Sequence, residues 1–199
     1  MRKRSTFVLS LCSVLFLASC QDDQKQDNLG LQKGRLHLSA SKPQQGQELR
    51  LQYEKGDASE MPEATVDYIV NKDFYPEDIE LKDSADYWVA RIKIPDSAMA
   101  MAFNFMKDYK YENNDKKGYV VPVFSEEGEK LAGSEAAMGA YYLRNGLRYD
   151  LNVEQDTALA MIGCDLEAHP DLKQEYDDYY PIMWVRSHEA EANDYIDQR

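Results

Sequence analysis

The spacing of the apolar residues changes once along the chain, and this change limits the possible folds more than any other feature. From Gly34 to about residue 125, apolar and polar residues alternate with the period of two that is typical of β-strands. The alternation is visible in GRLHLSA, ELRLQYE, ATVDYIV and YWVARIKI, with turn segments between them. Short strands at this spacing predict an antiparallel, immunoglobulin-like β-sandwich over residues 34–130.

Helical spacing replaces the alternation in the last third of the chain. The segments SEAAMGAYYLRNGLRYD and NVEQDTALAMIGCDLEAH predict two helices, with Asn152 as the cap of the second. Pro170 suits a first helical turn, and Pro181 should divide the helical segment that follows. The fold class is therefore α+β, with an α-helical region at 131–199. Because that region stops in polar helical sequence, we expect this chain to be a shortened form of a longer protein.

The first residues have the features of a lipoprotein signal. Three cations precede an uncharged apolar run over residues 7–18, which is too short for a comfortable transmembrane helix. The run ends in LASC, which resembles a bacterial lipobox, so residues 1–19 are predicted to be a signal peptide. Cys20 is then the site of palmitate attachment, and a polar, flexible tether is expected over residues 20–33. Its acids are similar to a surface-export signal, so the lipid would anchor the protein to the outer membrane, on its periplasmic face or at the cell surface.

Charge and cysteine content exclude several classes of function. The chain has 23 Lys and Arg against 36 Asp and Glu, a formal charge of −13, and such a surface repels nucleic acids. Of three cysteines, Cys12 lies in the signal and Cys20 would be lipidated, so Cys164 is left without a disulfide partner. Its apolar surroundings predict a buried structural thiol.

The segment DYKYENNDKKG at 108–118 has three possible interpretations. Its asparagines and glycine suit a connection between strands, and this interpretation is preferred. A sugar could instead stack on aromatic rings and bond to amides, for which the candidate residues are Trp88, Tyr109, Tyr111, Asn113 and Asn114. Calcium could bind the oxygens of Asp108, Glu112, Asn114 and Asp115, but four lysines crowd the same segment and oppose a cation.

No catalytic or metal-binding set can be assembled from the sequence. The histidines are scattered at His37, His169 and His188, so no transition-metal site, and hence no metal cofactor, is predicted. Neither Ser134 nor Ser187 has a base near it in sequence, and no C-x-x-C is present. We therefore expect no catalytic residues, no cofactor and no enzymatic activity in this chain.

Five segments within about residues 34–185 carry a family resemblance, namely SKPQQGQELRLQYE, WVARIKIPDSAMAMAFNF, GYVVPVF, AMGAYYLRNGL and ALAMIGCDLEAHPDLKQEY. Together they resemble the N-terminal region of the TlpA-like, thioredoxin-domain lipoproteins of Bacteroidota. The resemblance implies a β-sandwich with helical repeats, followed in the family by a thioredoxin domain with two active-site cysteines. Those cysteines have no counterpart here, so only the accessory, membrane-anchored region is implied. Its expected partner is another protein or the missing C-terminal domain.

A second resemblance suggests an alternative function. Trp88 before an I-x-I-P turn, the segment AFNF and the segment YENNDKKGY together look like starch-binding carbohydrate modules. The sequence thus predicts a non-catalytic interaction module of the cell envelope, with a surface glycan-binding lipoprotein as the alternative.

Overall fold

A computed structural model describes residues 30–56 and 60–187, and in this part ten strands precede three α-helices. The strands are β1 (Leu31–Lys33), β2 (Leu36–Leu38), β3 (Glu48–Glu54), β4 (Glu63–Val70), β5 (Asp73–Asp78), β6 (Lys82–Ser84), β7 (Tyr87–Lys93), β8 (Ala100–Lys107), β9 (Lys110–Glu112) and β10 (Tyr119–Pro122). The helices are α1 (Ser134–Asn145), α2 (Gln155–Ala168) and α3 (Tyr180–Ser187), with 3₁₀ turns at Pro170–Gln174 and Asp177–Tyr179. The predicted α+β class is confirmed.

The strands form two antiparallel, five-stranded sheets. One sheet has the order β1-β2-β3-β7-β6, and the other has the order β10-β8-β4-β5 with β9 also paired to β8. Apolar residues from the strands of both sheets form one buried core between them. Its fully buried side chains include Tyr53, Tyr119, Phe103, Phe105 and four leucines of β2 and β3. The period-two pattern of β3, in which every second residue is buried, follows directly from this arrangement.

Strand β8 departs from the alternation because its sheet is covered on both faces. Residues Ala100 to Phe105 are all buried. Met101, Phe103 and Phe105 face the core between the sheets, whereas Ala100 and Ala102 pack beneath Ala137 and Tyr141 of α1. The small residues of β8 on this side let the helix approach the sheet. The helical region therefore lies on the second sheet and is part of one packed unit with it.

Helices α1 and α2 cross closely at Gly139. A Cβ atom built on Gly139 would lie 2.5 Å from the carbonyl oxygen of Ala158 and 2.9 Å from Ile162 Cγ1, so only glycine fits. The contact continues into an apolar cluster between the helices that also contains Leu166 and Tyr176. Gly139 is unfavourable for the helix by its intrinsic propensity, but the packing of the two helices requires it.

Three local predictions are wrong. Residues 31–33, placed in the tether, form β1, which pairs with β2 and is held further by a bond of 2.7 Å from Lys33 Nζ to the carbonyl of Val120. The first helix ends at Asn145, before Gly146, because the chain turns there to pack Tyr149 against Tyr141. Asn152 does not cap α2, because the helix begins after Glu154. The backbone N–H of Asn152 donates instead to the carbonyl oxygen of Lys116.

The two ends of the paired sheets differ in what they carry. The described chain begins at Gly30, beside Ala40 and Ser41, near the turn that joins β2 to β3. We call this the entry end. The opposite end, called the distal end, carries the β1–β2 turn, residues 55–56 and 60–62 between β3 and β4, and the β8–β9 hairpin. Eight residues of β8 separate the two ends by about 25 Å.

Candidate functional site

A cleft of about 350 Å³ opens between the two sheets at the distal end. Its aromatic lining comes from Tyr53 on β3, Trp88 on β7, Phe105 on β8 and Tyr111 on β9. Charged side chains of both signs surround this lining, namely Arg35, Glu60, Lys107, Asp108, Lys110 and Glu112. A volume of this size, with apolar walls and a few polar groups, is typical of a small-ligand site.

The aromatic wall of the cleft is rigid. The rings of Tyr53 and Phe105 stack at a centroid distance of 3.8 Å, and the ring of Tyr119 meets Phe105 edge-on at 5.5 Å. Trp88 pairs with Tyr53 across β3 and β7 and is 5% exposed. These side chains are held by the core behind them, so the wall is formed before any ligand arrives.

Glu112 organises the base of the cleft. Its Oε2 accepts hydrogen bonds from the hydroxyl of Tyr53 at 3.1 Å and from that of Tyr119, while Oε1 accepts the N–H of Asn114 at 2.9 Å. Burial, together with the adjacent carboxylate, raises the pKa of Tyr53 and of Tyr119 well above the ordinary value, so both phenols stay protonated donors. The sequence indicated Glu112 only as a calcium ligand, because its phenol partners lie on other strands.

Two cations are stacked on the aromatic residues of the cleft. The guanidinium carbon of Arg35 lies 4.6 Å from the ring centroid of Tyr53, and the group also donates to the carbonyl of Glu54. The ammonium of Lys55 lies 4.4 Å from the ring centroid of Trp88 and bonds to Asp83 at 2.7 Å. Neither cation was indicated by the sequence, since each reaches its ring across the sheet.

The structure brings together only two of the five predicted ligand residues. Trp88 and Tyr111 line the cleft, although Trp88 is too deeply buried for a sugar to stack on its face. Tyr109 is 95% exposed at the tip of the β8–β9 hairpin, in a left-handed conformation with φ 60°. These positions do not form the single stacking platform expected of a sugar site.

Asn113 and Asn114, the other two predicted ligand residues, are occupied within their own loop. Asn113 Nδ2 donates to the backbone and side chain of Asp150 at 3.1 and 3.2 Å, and its Oδ1 accepts the N–H of Lys116. Asn114, with φ 52°, donates to Gly118 O at 3.1 Å. Residues 113–118 thus form an excursion between β9 and β10, which pair with successive parts of β8.

Acidic, cysteine and histidine side chains do not cluster in the described ranges 30–56 and 60–183. No group of three or more His, Cys, Asp or Glu side chains that could hold a metal occurs there. Lys116 lies 3.4 Å from Asp150, which places a cation beside the oxygens of the loop. His37 bonds instead to Glu54, at 2.6 Å. His188 lies outside the described residues.

A second polar cluster lies between the second sheet and α1. Asn104 Nδ2 donates to Asp67 Oδ2 at 2.9 Å, and the hydroxyl of Tyr141 lies 3.2 Å from the same oxygen. Burial raises the pKa of Asp67, and the hydrogen bonds from Asn104 and Tyr141 oppose that rise. All three residues are at most 8% exposed. The cluster therefore joins the helix to the sheet and has no room for a substrate.

The cysteines fall in two different situations. Cys164 is exposed, so the prediction of a buried thiol is wrong: α2 turns Ile162, Asp165 and Leu166 towards the interior instead. Cys20, the predicted site of lipid attachment, lies outside the described residues, as does the rest of the predicted signal. In the described part of the chain, no helix has the length and apolar character needed to cross a membrane.

No family model, curated protein or solved structure matches the chain significantly.

Proposed function

We propose that this chain is a non-catalytic lipoprotein module of the cell envelope that binds a partner at its distal end. The observation that carries the proposal is the position of the cleft. A chain that comes from a lipid on Cys20 enters the paired sheets at Gly30, and the cleft opens at the other end, about 25 Å away. An anchored module of this form presents its aromatic cleft away from the membrane.

The strand order supports an immunoglobulin-like sandwich as the scaffold. In that fold, strands A, B, E and D form one sheet and strands C, F and G form the other, with C′ as an addition. Here β2, β3, β7 and β6 follow the order A-B-E-D, and β10, β8, β4 and β5 follow the order G-F-C-C′. Such sandwiches commonly carry their binding sites on the loops at one end, where this cleft lies.

The chemistry of the chain also favours a binding role over thiol-disulfide exchange. Exchange requires a thiolate that attacks and a second thiol that resolves the mixed disulfide. With Cys20 acylated and Cys12 removed, Cys164 is the remaining thiol of the sequence. We therefore infer an accessory role like that of the sandwich region in TlpA-like lipoproteins, with a protein as the partner. The glycan alternative has less support, because its candidate residues are dispersed.

Lipid attachment is tested by metabolic labelling with palmitate in a bacterial host that processes lipoproteins. We expect Cys20→Ala to abolish labelling and to release the protein from the membrane fraction. Cys12→Ala is the matched control, since it removes a cysteine of the same signal region and should label normally. Equal labelling of Cys20→Ala and the parent protein would contradict the anchor.

Partner binding is tested by site-specific photo-crosslinking in intact cells. A photoreactive residue at Lys110, on the cleft rim, should form a discrete protein adduct. The same residue at Lys42, an exposed lysine near the entry end, should not. Adducts at Lys42 with none at Lys110 would place the interface at the wrong end and defeat the proposal. Retardation of the protein by soluble glucans would favour the glycan alternative.

A further inference from the structure

Arg35 is held in a fixed position in the cleft without an acidic partner among the described residues. Its guanidinium stacks on Tyr53 and donates to the carbonyl of Glu54, and it makes no ion pair in residues 30–56 and 60–187. A guanidinium has five N–H donors in one plane, so a single carbonyl leaves most of them available. Such a planar, immobilised donor group is well suited to a carboxylate.

The acids around the cleft do not neutralise Arg35. The oxygens of Glu112 are taken by Tyr53, Tyr119 and the N–H of Asn114, and Glu60 lies 3.6 Å from Lys107. Lys110, which also lines the cleft, has no ion pair within the described residues either. Among the described residues of the lining, the opposing charges without an ion pair are Asp108, which lies in the exposed hairpin turn, and Glu112, whose oxygens already accept three hydrogen bonds. Two cations of the lining are thus available to an anion.

The apolar part of the lining that a ligand can reach is formed by Tyr111 and Pro62, which are half-buried. Tyr53, Phe105 and Trp88 contribute little accessible surface, since each is at most 5% exposed. Together with Arg35 and Lys110, Tyr111 and Pro62 define a cleft for a ligand that is both apolar and acidic.

We propose that the distal cleft binds a carboxylate attached to a large apolar group, as at a peptide C-terminus that ends in an aromatic residue. Arg35 pairs with the carboxylate, Lys110 adds long-range attraction, and the apolar group packs against Tyr111 and Pro62. This inference rests on the proposed function, since it names the ligand class of the same cleft.

The test is a titration of the processed, full-length Trp184→Phe protein in detergent micelles, followed by the fluorescence of Trp88. N-Acetylphenylalanine is the probe, and N-acetylphenylalaninamide is its uncharged counterpart. We expect saturable binding of the acid and at least about tenfold weaker binding of the amide, as expected when a charge-assisted hydrogen bond is lost. Equal affinity for acid and amide, or no saturable change with either, would overturn the proposal.

Variants of Arg35 make the assignment specific. Arg35→Gln should weaken binding of the acid by at least about tenfold and leave the weak binding of the amide unchanged. Arg35→Lys keeps the charge without the planar fork and should lie between the two. Arg91→Gln, which removes an exposed arginine paired with Glu48 at 2.9 Å on another part of the sheet, is the control and should bind normally. Full affinity in both Arg35 variants would exclude this residue as the anchor.

Two further readouts separate the possible sources of the ligand and the possible failures. Weaker binding of 3-phenylpropanoate than of N-acetylphenylalanine assigns the cleft to peptide C-termini, and equal binding assigns it to free aromatic acids. If Arg35→Gln unfolds, Arg35→Lys and the acid–amide pair still decide the outcome. Crosslinks at Lys110 that persist in an Arg35→Gln protein would retain distal-end partner binding while rejecting carboxylate recognition.

Discussion

The carboxylate of Asp165 on α2 caps the first turn of α1. Its Oδ2 accepts the backbone N–H of Ala136 at 3.0 Å, and its Oδ1 accepts that of Gly133 at 3.3 Å. The residue at the N-cap position itself is Gly133, which has φ 86° and no side chain to do this. Because Asp165 is only 8% exposed and belongs to another helix, the start of α1 depends on the packing of α2.

Removal of this tertiary cap should destabilise the protein. We expect Asp165→Ala to lower the free energy of unfolding by about 1–3 kcal/mol, because two backbone N–H groups at a helix N-terminus lose their acceptor. Urea unfolding followed by circular dichroism measures the change. Glu167→Ala, at an exposed position two residues later on the same helix, is the control and should change stability by less than about 0.5 kcal/mol. Equal losses in both variants would show that the cap is not the cause.

The two glycines inside the helices should respond in opposite ways to alanine. Gly139→Ala forces a methyl group against the carbonyl of Ala158 and should cost about 1–3 kcal/mol, despite the better helix propensity of alanine. At Gly163, the nearest atom to an added Cβ is Met183 Sδ at 3.8 Å, an ordinary contact. Gly163→Ala should therefore leave stability unchanged or raise it by up to about 1 kcal/mol. A melting temperature that rises in both variants would contradict the close helix crossing.

The buried carboxyl of Asp67 should make stability depend on pH in a defined direction. Burial raises its pKa in the folded state above the ordinary value of 3.8. The folded protein then holds a proton that the unfolded chain releases just above that pH, so ionisation of Asp67 opposes folding at neutral pH. As the pH falls through the folded-state pKa towards 3.8, Asp67 becomes protonated in the folded protein and this destabilisation disappears.

Asp67→Asn isolates this effect, because the amide keeps an oxygen that can accept from Asn104 and Tyr141. We expect the stability of the variant, relative to the parent protein, to be greatest at pH 7 and to decline as the pH is lowered towards 4. Urea unfolding of both proteins across this range measures the difference. An advantage of Asp67→Asn that grows as the pH falls would contradict the sign of the shift.

Trp88 and Tyr109 are both aromatic candidates from the sequence, but their burial predicts opposite results. Trp88→Ala should cost about 3–5 kcal/mol, because Trp88 is 5% exposed and packs in the core between the sheets. Tyr109→Ala should change stability by less than about 0.5 kcal/mol, because Tyr109 is 95% exposed. Thermal unfolding of the two variants distinguishes a structural role from an exposed one, and an unchanged melting curve for Trp88→Ala would contradict its place in the core.

The sequence determined the class and order of the elements. Alternating apolar residues such as those of β3 identify strands, because a sheet with one buried face imposes a period of two. The helical spacing of apolar residues identifies α1 and α2 in the same way. The alternation is local information, so neighbouring residues suffice to reveal it. Strand β8 could not be assigned as clearly, because burial on both faces removes the alternation.

Only the tertiary structure decided which side chains meet. The contacts between Arg35 and Tyr53, between Glu112 and Tyr119, and between Asp165 and Ala136 join residues on different elements. The same holds for Gly139, whose role depends on a backbone carbonyl of another helix. Such contacts depend on sheet register and helix packing, which bring together residues that are distant in the chain. The sequence supplied the aromatic and charged residues of the cleft, and the folding of two sheets around one core placed them at its distal end.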